Sequence, residues 1–109
     1  MADVLELEDL ETVAMALIGH AGESKSLAYQ ALYAAKEGKF DEAAKLMEES
    51  GEEMLKSHEI QTNLIIKEAS GEKLDTGLIM VHAQDHLMSA ILLKDIVKEF
   101  IELYRTVKG

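Results

Sequence analysis

The segment from Leu78 to Val107 constrains the fold more than any other part of the chain, because it reads as a helix with almost no solvent side in its first half. Leu78, Met80, Val81, Leu87, Met88, Ala90, Ile91, Leu92 and Leu93 are followed by Ile96, Val97, Phe100, Ile101, Leu103, Tyr104 and Val107. Polar positions open only at Lys94, Asp95, Lys98, Glu99 and Glu102. A helix apolar nearly all round is normally buried. Two partner helices of about 30 residues, each ~45 Å long, form too thin a bundle to cover it from every direction. The pattern therefore predicts that this helix also faces other copies of the chain, in a closed cyclic assembly.

Three ionisable side chains interrupt the apolar run. His82, Asp85 and His86 are related by i,i+3 and i,i+4 steps, which places them on one helical face within little more than a turn. Burying two imidazoles and a carboxylate costs several kcal/mol unless they are paired, suitably protonated or bound to a cation. The cluster is accordingly the candidate functional site. The other histidines read differently. His20, between Gly19 and Ala21, reads as a surface or interface residue. His58 and Gln61 fall on the same side as Met54 and Ile65, as core or interface polar groups with hydrogen-bond partners.

The rest of the chain also carries helical periodicity, and it contains no proline. The reading is one domain, residues 1–109, all-α, with helices over roughly 6–37, 40–70 and 76–107: three long antiparallel helices around a central axis lined by the third. In the first, Leu10, Val13, Leu17, Ala21, Ala28, Leu32 and Ala35 share a face. Gly19 and Gly22 each weaken that helix by roughly 1 kcal/mol relative to Ala, which predicts compensation by close packing against a neighbouring backbone. Gly38 is the expected C′ residue and Asp41 the next cap. In the second, Phe40, Ala44, Met47, Met54, Leu55, Ile65 and Ile66 form the expected inward face, and Glu48, Glu49, Glu52 and Glu53 a solvated one. Ser70 to Asp75 reads as a turn, with Asp75 or Thr76 as the third N-cap. The stretch Tyr29 to Leu46 looks like a tetratricopeptide hairpin, but the unit does not recur.

Charge and cysteine content narrow the function classes. Twenty-one acidic against eleven basic residues give a net charge of −10, which argues against nucleic-acid binding, since phosphate neutralisation needs clustered Lys and Arg. Without cysteine there is no disulfide, thiolate chemistry or cysteine-based zinc site. The acidic N-terminus lacks the flank and core of a signal peptide, and no segment approaches the ~18 apolar residues of a spanning helix. A cytoplasmic protein with basic partners is expected.

A neutral imidazole is a good nucleophile, and a phosphoryl group placed on its free nitrogen can readily be taken by another nucleophile. His82 used in this way needs its other nitrogen held and needs donors for the phosphoryl oxygens. His86 and the amide of Gln84 are the local candidates, although Gln84 points about 200° away from His82 around the helix. Asp85 could orient a histidine of its own helix or meet its symmetry mates at the axis, where like carboxylates need a shared proton or a hard cation. A rival reading makes His82, Asp85 and His86 a two-His, one-carboxylate metal set in a metal-dependent helical enzyme, with His58 or His20 as a fourth ligand. A second rival is a non-catalytic helical adaptor.

The octapeptide Val81-His82-Ala83-Gln84-Asp85-His86-Leu87-Met88 resembles the active-site signature of the lactose/cellobiose-type (also chitobiose-type) IIA component of the bacterial phosphoenolpyruvate-dependent sugar phosphotransferase system. Gly22 with Ser26-Leu27-Ala28-Tyr29, His58 with Gln61-Thr62, and Ala69-Ser70-Gly71-Glu72 are also similar to that family, so the resemblance spans essentially the whole chain. Glu23-Ser24-Lys25 departs from it, where an Ala-Arg pair is expected before Ser26. The resemblance implies a homotrimeric helical bundle. It implies that His82 accepts a phosphoryl group from the phosphocarrier HPr and donates it to a cysteine of the IIB component, during uptake of a β-linked disaccharide through the membrane IIC permease. It further implies that three copies of Asp85 bind a divalent cation, Mg2+, at the trimer axis, and that Gln84 and His86 lie near the phosphoryl site.

Overall fold

The computed structural model describes residues 7–74 and 76–108. They form three helices, α1 (Leu7–Lys36), α2 (Phe40–Ala69) and α3 (Leu78–Lys108), of 30, 30 and 31 residues, in a body of 59 × 21 × 19 Å. Successive helices run antiparallel, so α1 and α3 are parallel. The connections turn on two glycines in the left-handed region, Gly38 at φ 80° and Gly71 at φ 101°, which a side chain would strain. At the first turn, the Gly38 and Lys39 amides donate to the Ala35 and Ala34 carbonyls and so satisfy the last turn of α1.

Two expected caps differ. Lys39, not Asp41, is the N-cap of α2 and supplies no side-chain bond; Asp41 lies in the first turn, where its charge complements the helix dipole instead. α3 starts after Gly77, whose carbonyl accepts from the Met80 and Val81 amides, so Thr76 stands outside the cap position. Asp75 lies outside the described residues.

Small side chains at a seven-residue spacing govern the packing. α1 turns Leu10, Ala14, Leu17, Ala21, Ser24, Ala28, Ala31 and Ala35 inward, and α2 answers with Ala43, Ser50, Ser57 and Leu64. Side chains this short let the axes approach closely, and they form two apolar clusters. One joins Leu10, Ala14 and Leu17 to Leu64, Met80, Ala83 and Leu87. The other joins Ala28, Ala31, Ala34 and Ala35 of α1 and Ala43 of α2 to Val97 and Ile101. Between them runs a polar seam. The Ser24 and Ser50 hydroxyls each donate to the other's carbonyl, at 2.8 and 2.7 Å, and the Ser57 hydroxyl donates to the Leu17 carbonyl at 2.9 Å. Left unpaired, each buried hydroxyl would cost about 1–3 kcal/mol.

This seam overturns part of the inward face expected for α2. Ala44, Leu55, Ile65 and Ile66 are exposed, as is His58, which has no hydrogen-bond partner among the described residues. The helix is rolled so that its small residues, rather than its largest ones, meet α1. Phe40, Met47 and Met54 stay half-buried against the clusters. Gly19 and Gly22 are also corrected, since a Cβ added at either meets nothing within 4 Å. Among the described residues of the chain no close backbone compensates them. Among the described residues no helix is long and apolar enough to cross a membrane.

His20 is half-buried and pairs through Nδ1 with Glu53 Oε1 at 2.8 Å, and Lys56 donates to the other carboxylate oxygen at 3.0 Å. The His20 hydrogen bond first, and that of Lys56 second, hold the Glu53 carboxyl below its ordinary value.

Two outcomes are expected of this packing. Gly19→Ala raises stability by roughly 0.5–1 kcal/mol, because it removes unfolded-state freedom without a clash; a lower midpoint in urea denaturation would mean the position is crowded. A depressed carboxyl contributes stability fully above the unfolded value of about 4.3 and loses it as the pH falls through the folded value. Glu53→Gln is therefore less stable than the parent at pH 7, and the gap closes in strong acid, as denaturation at the two pH values would record.

Candidate functional site

Heptad packing sets which side chains of α3 are left outside. Met80, Ala83, Leu87, Ala90, Val97 and Ile101 turn inward, and α1 covers that side. The opposite side carries Leu78, Val81, Met88, Leu92, Ile96, Phe100, Leu103 and Val107, all exposed, with Leu78 85% and Leu92 61% accessible. Such a stripe along a whole helix exceeds the scattered apolar residues of an ordinary surface. Asp85 lies within it, between Val81 and Met88 one turn to either side. It is exposed and has no hydrogen-bond or ion-pair partner among the described residues.

His82 and His86 sit at the margin of this stripe. Their Nε2 atoms are 3.0 Å apart, and the rings meet edge-on with centroids at 4.5 Å and an interplanar angle of 85°. His82 is exposed; His86 is half-buried, and its Nδ1 is buried without a partner. An orphaned buried N–H is costlier than an orphaned buried acceptor. The tautomer that leaves the buried Nδ1 unprotonated places the His86 proton on Nε2, from which it donates to His82 Nε2. In that arrangement His82 carries its proton on Nδ1, and the lone pair of its Nε2 accepts the His86 hydrogen bond. The carbonyl or carboxylate expected to hold the second nitrogen of His82 is absent among the described residues, and the neighbouring imidazole selects the tautomer instead.

Gln84 is turned the other way. Its Oε1 accepts from Gln61 Nε2 of α2 at 2.7 Å, and its own Nε2 faces Met80 Sδ at 3.5 Å. It lies across the helix from His82 and reaches α2 of its own chain. Gln61, expected as an inward polar group with a hydrogen-bond partner, has one in Gln84; what the sequence does not show is which residue that partner is. The intrachain metal set fares poorly: among the described residues no three His, Asp or Glu side chains converge on a point a metal could occupy. His82 and His86 meet each other, Asp85 points along the stripe, and His20 is paired with Glu53.

A pair of imidazoles so arranged offers one nucleophilic nitrogen beside one N–H donor, open to an incoming protein. The family model described as PTS system, lactose/cellobiose specific IIA subunit, matches residues 12–105. The lichenan-specific phosphotransferase enzyme IIA component of Bacillus subtilis is 46% identical over 100 residues, 92% of this chain and 91% of that protein. Among solved structures, the PTS cellobiose-specific enzyme IIA from Bacillus anthracis superposes with a TM-score of 0.89 at 37% identity, covering 99% of this chain and 97% of that one. The IIA(chitobiose) of Escherichia coli, solved in complex with HPr, gives a TM-score of 0.79 at 39% identity over 92% of this chain and 97% of that one.

The tautomer assignment has a direct readout. Nitrogen-15 spectra at a pH where both rings are neutral should show His82 protonated on Nδ1 and His86 on Nε2, and His86→Phe should abolish the bias at His82. A parent protein with His82 protonated on Nε2 would reverse the donor and the acceptor.

Proposed function

The chain belongs to the lactose/cellobiose-specific IIA family of the sugar phosphotransferase system, and from that premise we propose that it is a phosphocarrier whose acceptor is Nε2 of His82. The observation that carries the reading is the exposed His82 nitrogen with the Nε2 of His86 3.0 Å away. In the forward step the His82 lone pair attacks the phosphorus of a phosphohistidine on HPr. A new N–P bond forms at His82 as the old one breaks, and the departing imidazole keeps the electron pair. Before this attack the His86 N–H releases the His82 lone pair and turns to a phosphoryl oxygen of the incoming group. In the second step the thiolate of a IIB cysteine displaces the group, and the electrons return to His82. HPr as donor is supported by the relative solved in complex with HPr, and a β-linked disaccharide by a cellobiose-specific relative. The membrane IIC component is reached only through IIB.

The apolar stripe of α3 supports a homotrimer in which three copies bury it against one another around an axis. That assembly would bring Asp85 from each chain to one level in apolar surroundings, where like carboxylates repel. The residues fit a cation: a carboxylate without an intrachain partner is what a hard divalent ion such as Mg2+ takes as a ligand. Such an ion would neutralise the axis. Gln84 serves this site through the packing of α3, and His86 through its donor.

His82→Gln should accept no phosphate from phosphorylated HPr while keeping its helical circular dichroism; uptake by this variant would remove the nucleophile assignment. Asp85→Leu should keep the trimer in sedimentation and lose divalent-ion binding in equilibrium dialysis, because three leucines fill the axis without repulsion. Monomers would instead make the ion the source of the assembly energy.

A further inference from the structure

With His82 as the phosphoryl acceptor, a reading on which this inference depends, we propose that Gln61 is a positioning residue for the transfer: its hydrogen bond to Gln84 sets the rotation and register of α3 at the turn that carries His82 and His86.

The three seams of the bundle differ in kind. α1 is tied to α2 by directional bonds at several levels, Ser24 with Ser50, Ser57 with the Leu17 carbonyl, and His20 with Glu53. α1 meets α3 through Leu10, Ala14 and Leu17 against Met80, Ala83 and Leu87, and through its alanines against Val97 and Ile101. Burial of such surface is non-directional, so it fixes the spacing of two helices better than their rotation. α2 also shares apolar clusters with α3, Leu64 with Met80, Ala83 and Leu87 and Ala43 with Val97 and Ile101, and among the described residues its one side-chain hydrogen bond to α3 runs from Gln61 Nε2 to Gln84 Oε1, part-buried and 2.7 Å long. Polar groups at inward helix positions specify register where apolar neighbours do not.

Its placement ties this bond to the site. Gln84 lies two residues after His82 and two before His86, so whatever holds Gln84 holds both rings. An open cleft lined by Leu10, Leu64, Leu74 and Met80 borders the amide pair. On the side that faces the cleft the bond adds a directional constraint to the apolar contact of Leu64 with Met80. An imidazole nitrogen roughly 5–6 Å from the helix axis moves roughly 2 Å when the helix turns by 20°, and a misplacement of ~1 Å can cost ~10²-fold in rate.

The test compares two donors on the full-length protein. Phosphorylated HPr must dock before it reacts; phosphoramidate is small and needs only an exposed imidazole. Gln61→Leu should slow transfer from phosphorylated HPr about tenfold and leave the labelling of His82 by phosphoramidate unchanged. Gln61→Glu should recover most of the loss, because the Gln84 amide can turn over and donate to the new carboxylate. Unchanged transfer from HPr in Gln61→Leu would overturn the assignment. So would an equal loss with both donors that tracks the folded fraction, since that is a stability effect, or a Gln61→Glu variant as slow as Gln61→Leu. Failure of either donor to label His82 in the parent chain is a separate result, which removes the His82 reading itself.

Discussion

The close approach of α1 to α2, made possible by Ala and Ser at most of the inward positions, is the constraint that shapes the rest of the architecture. Short side chains on a helix bring a neighbouring axis near and leave little volume for bulky residues at the seam. Leu55, Ile65 and Ile66 of α2 and the stripe of α3 consequently lie outside it. Close packing also brings backbone carbonyls within reach of hydroxyls, which is why Ser24, Ser50 and Ser57 can be fully buried without orphaned groups. The same seam that makes one chain compact thus leaves it with an apolar face that a single chain does not cover.

At the site the decisive contact is between two identical side chains. Two imidazoles with touching Nε2 atoms cannot both donate and cannot both accept, so a bias on one ring dictates the other. That bias comes from burial: the half-buried ring has a nitrogen with no partner, and the exposed ring answers to it. On the proposed reading a nucleophile selected in this way needs no carboxylate beside it. Asp85 is therefore free to face the stripe, where on the proposed reading it serves the assembly rather than the chemistry.

Much of this is legible in the sequence. Three helices with glycine turns follow from periodicity, the absence of proline, and Gly38 and Gly71. The histidine pair follows from i,i+4 spacing, and the uncovered face of α3 from an apolar count too high for two partners. The roll of α2 is not legible, because periodicity weights large apolar side chains whereas close packing selects small ones; Ser50 and Ser57 carry no hydrophobic signal, although they stand seven apart in line with Ala43 and Leu64. Caps fail for a related reason. Asp41 is a good cap by composition, but Gly38 already sets the chain path, and Lys39 falls at the boundary. The Gln61–Gln84 bond joins positions 23 residues apart, and neither residue carries a signal that names the other. Gly19 and Gly22 show that a helix can keep glycine with no neighbour in the same chain to justify it.

A carrier differs from a catalyst of one-way chemistry in that it must release what it accepts. A phosphoryl group held by Arg or Lys would gain charge-assisted hydrogen bonds roughly twice as strong as neutral ones, and each would deepen the well from which the next transfer must start. Among the described residues no Lys or Arg forms a hydrogen bond or ion pair with His82, Asp85 or His86. On the proposed reading a single imidazole N–H would orient the group without trapping it. The missing positive charge would then come from each partner in turn, present at the moment of transfer and gone afterwards. A chain of net charge −10 favours the arrival of such basic surfaces. On this view the acidic surface and the want of a Lys or Arg at the histidine pair are two halves of one device. The first recruits the cation, and the second ensures that the carrier does not own it.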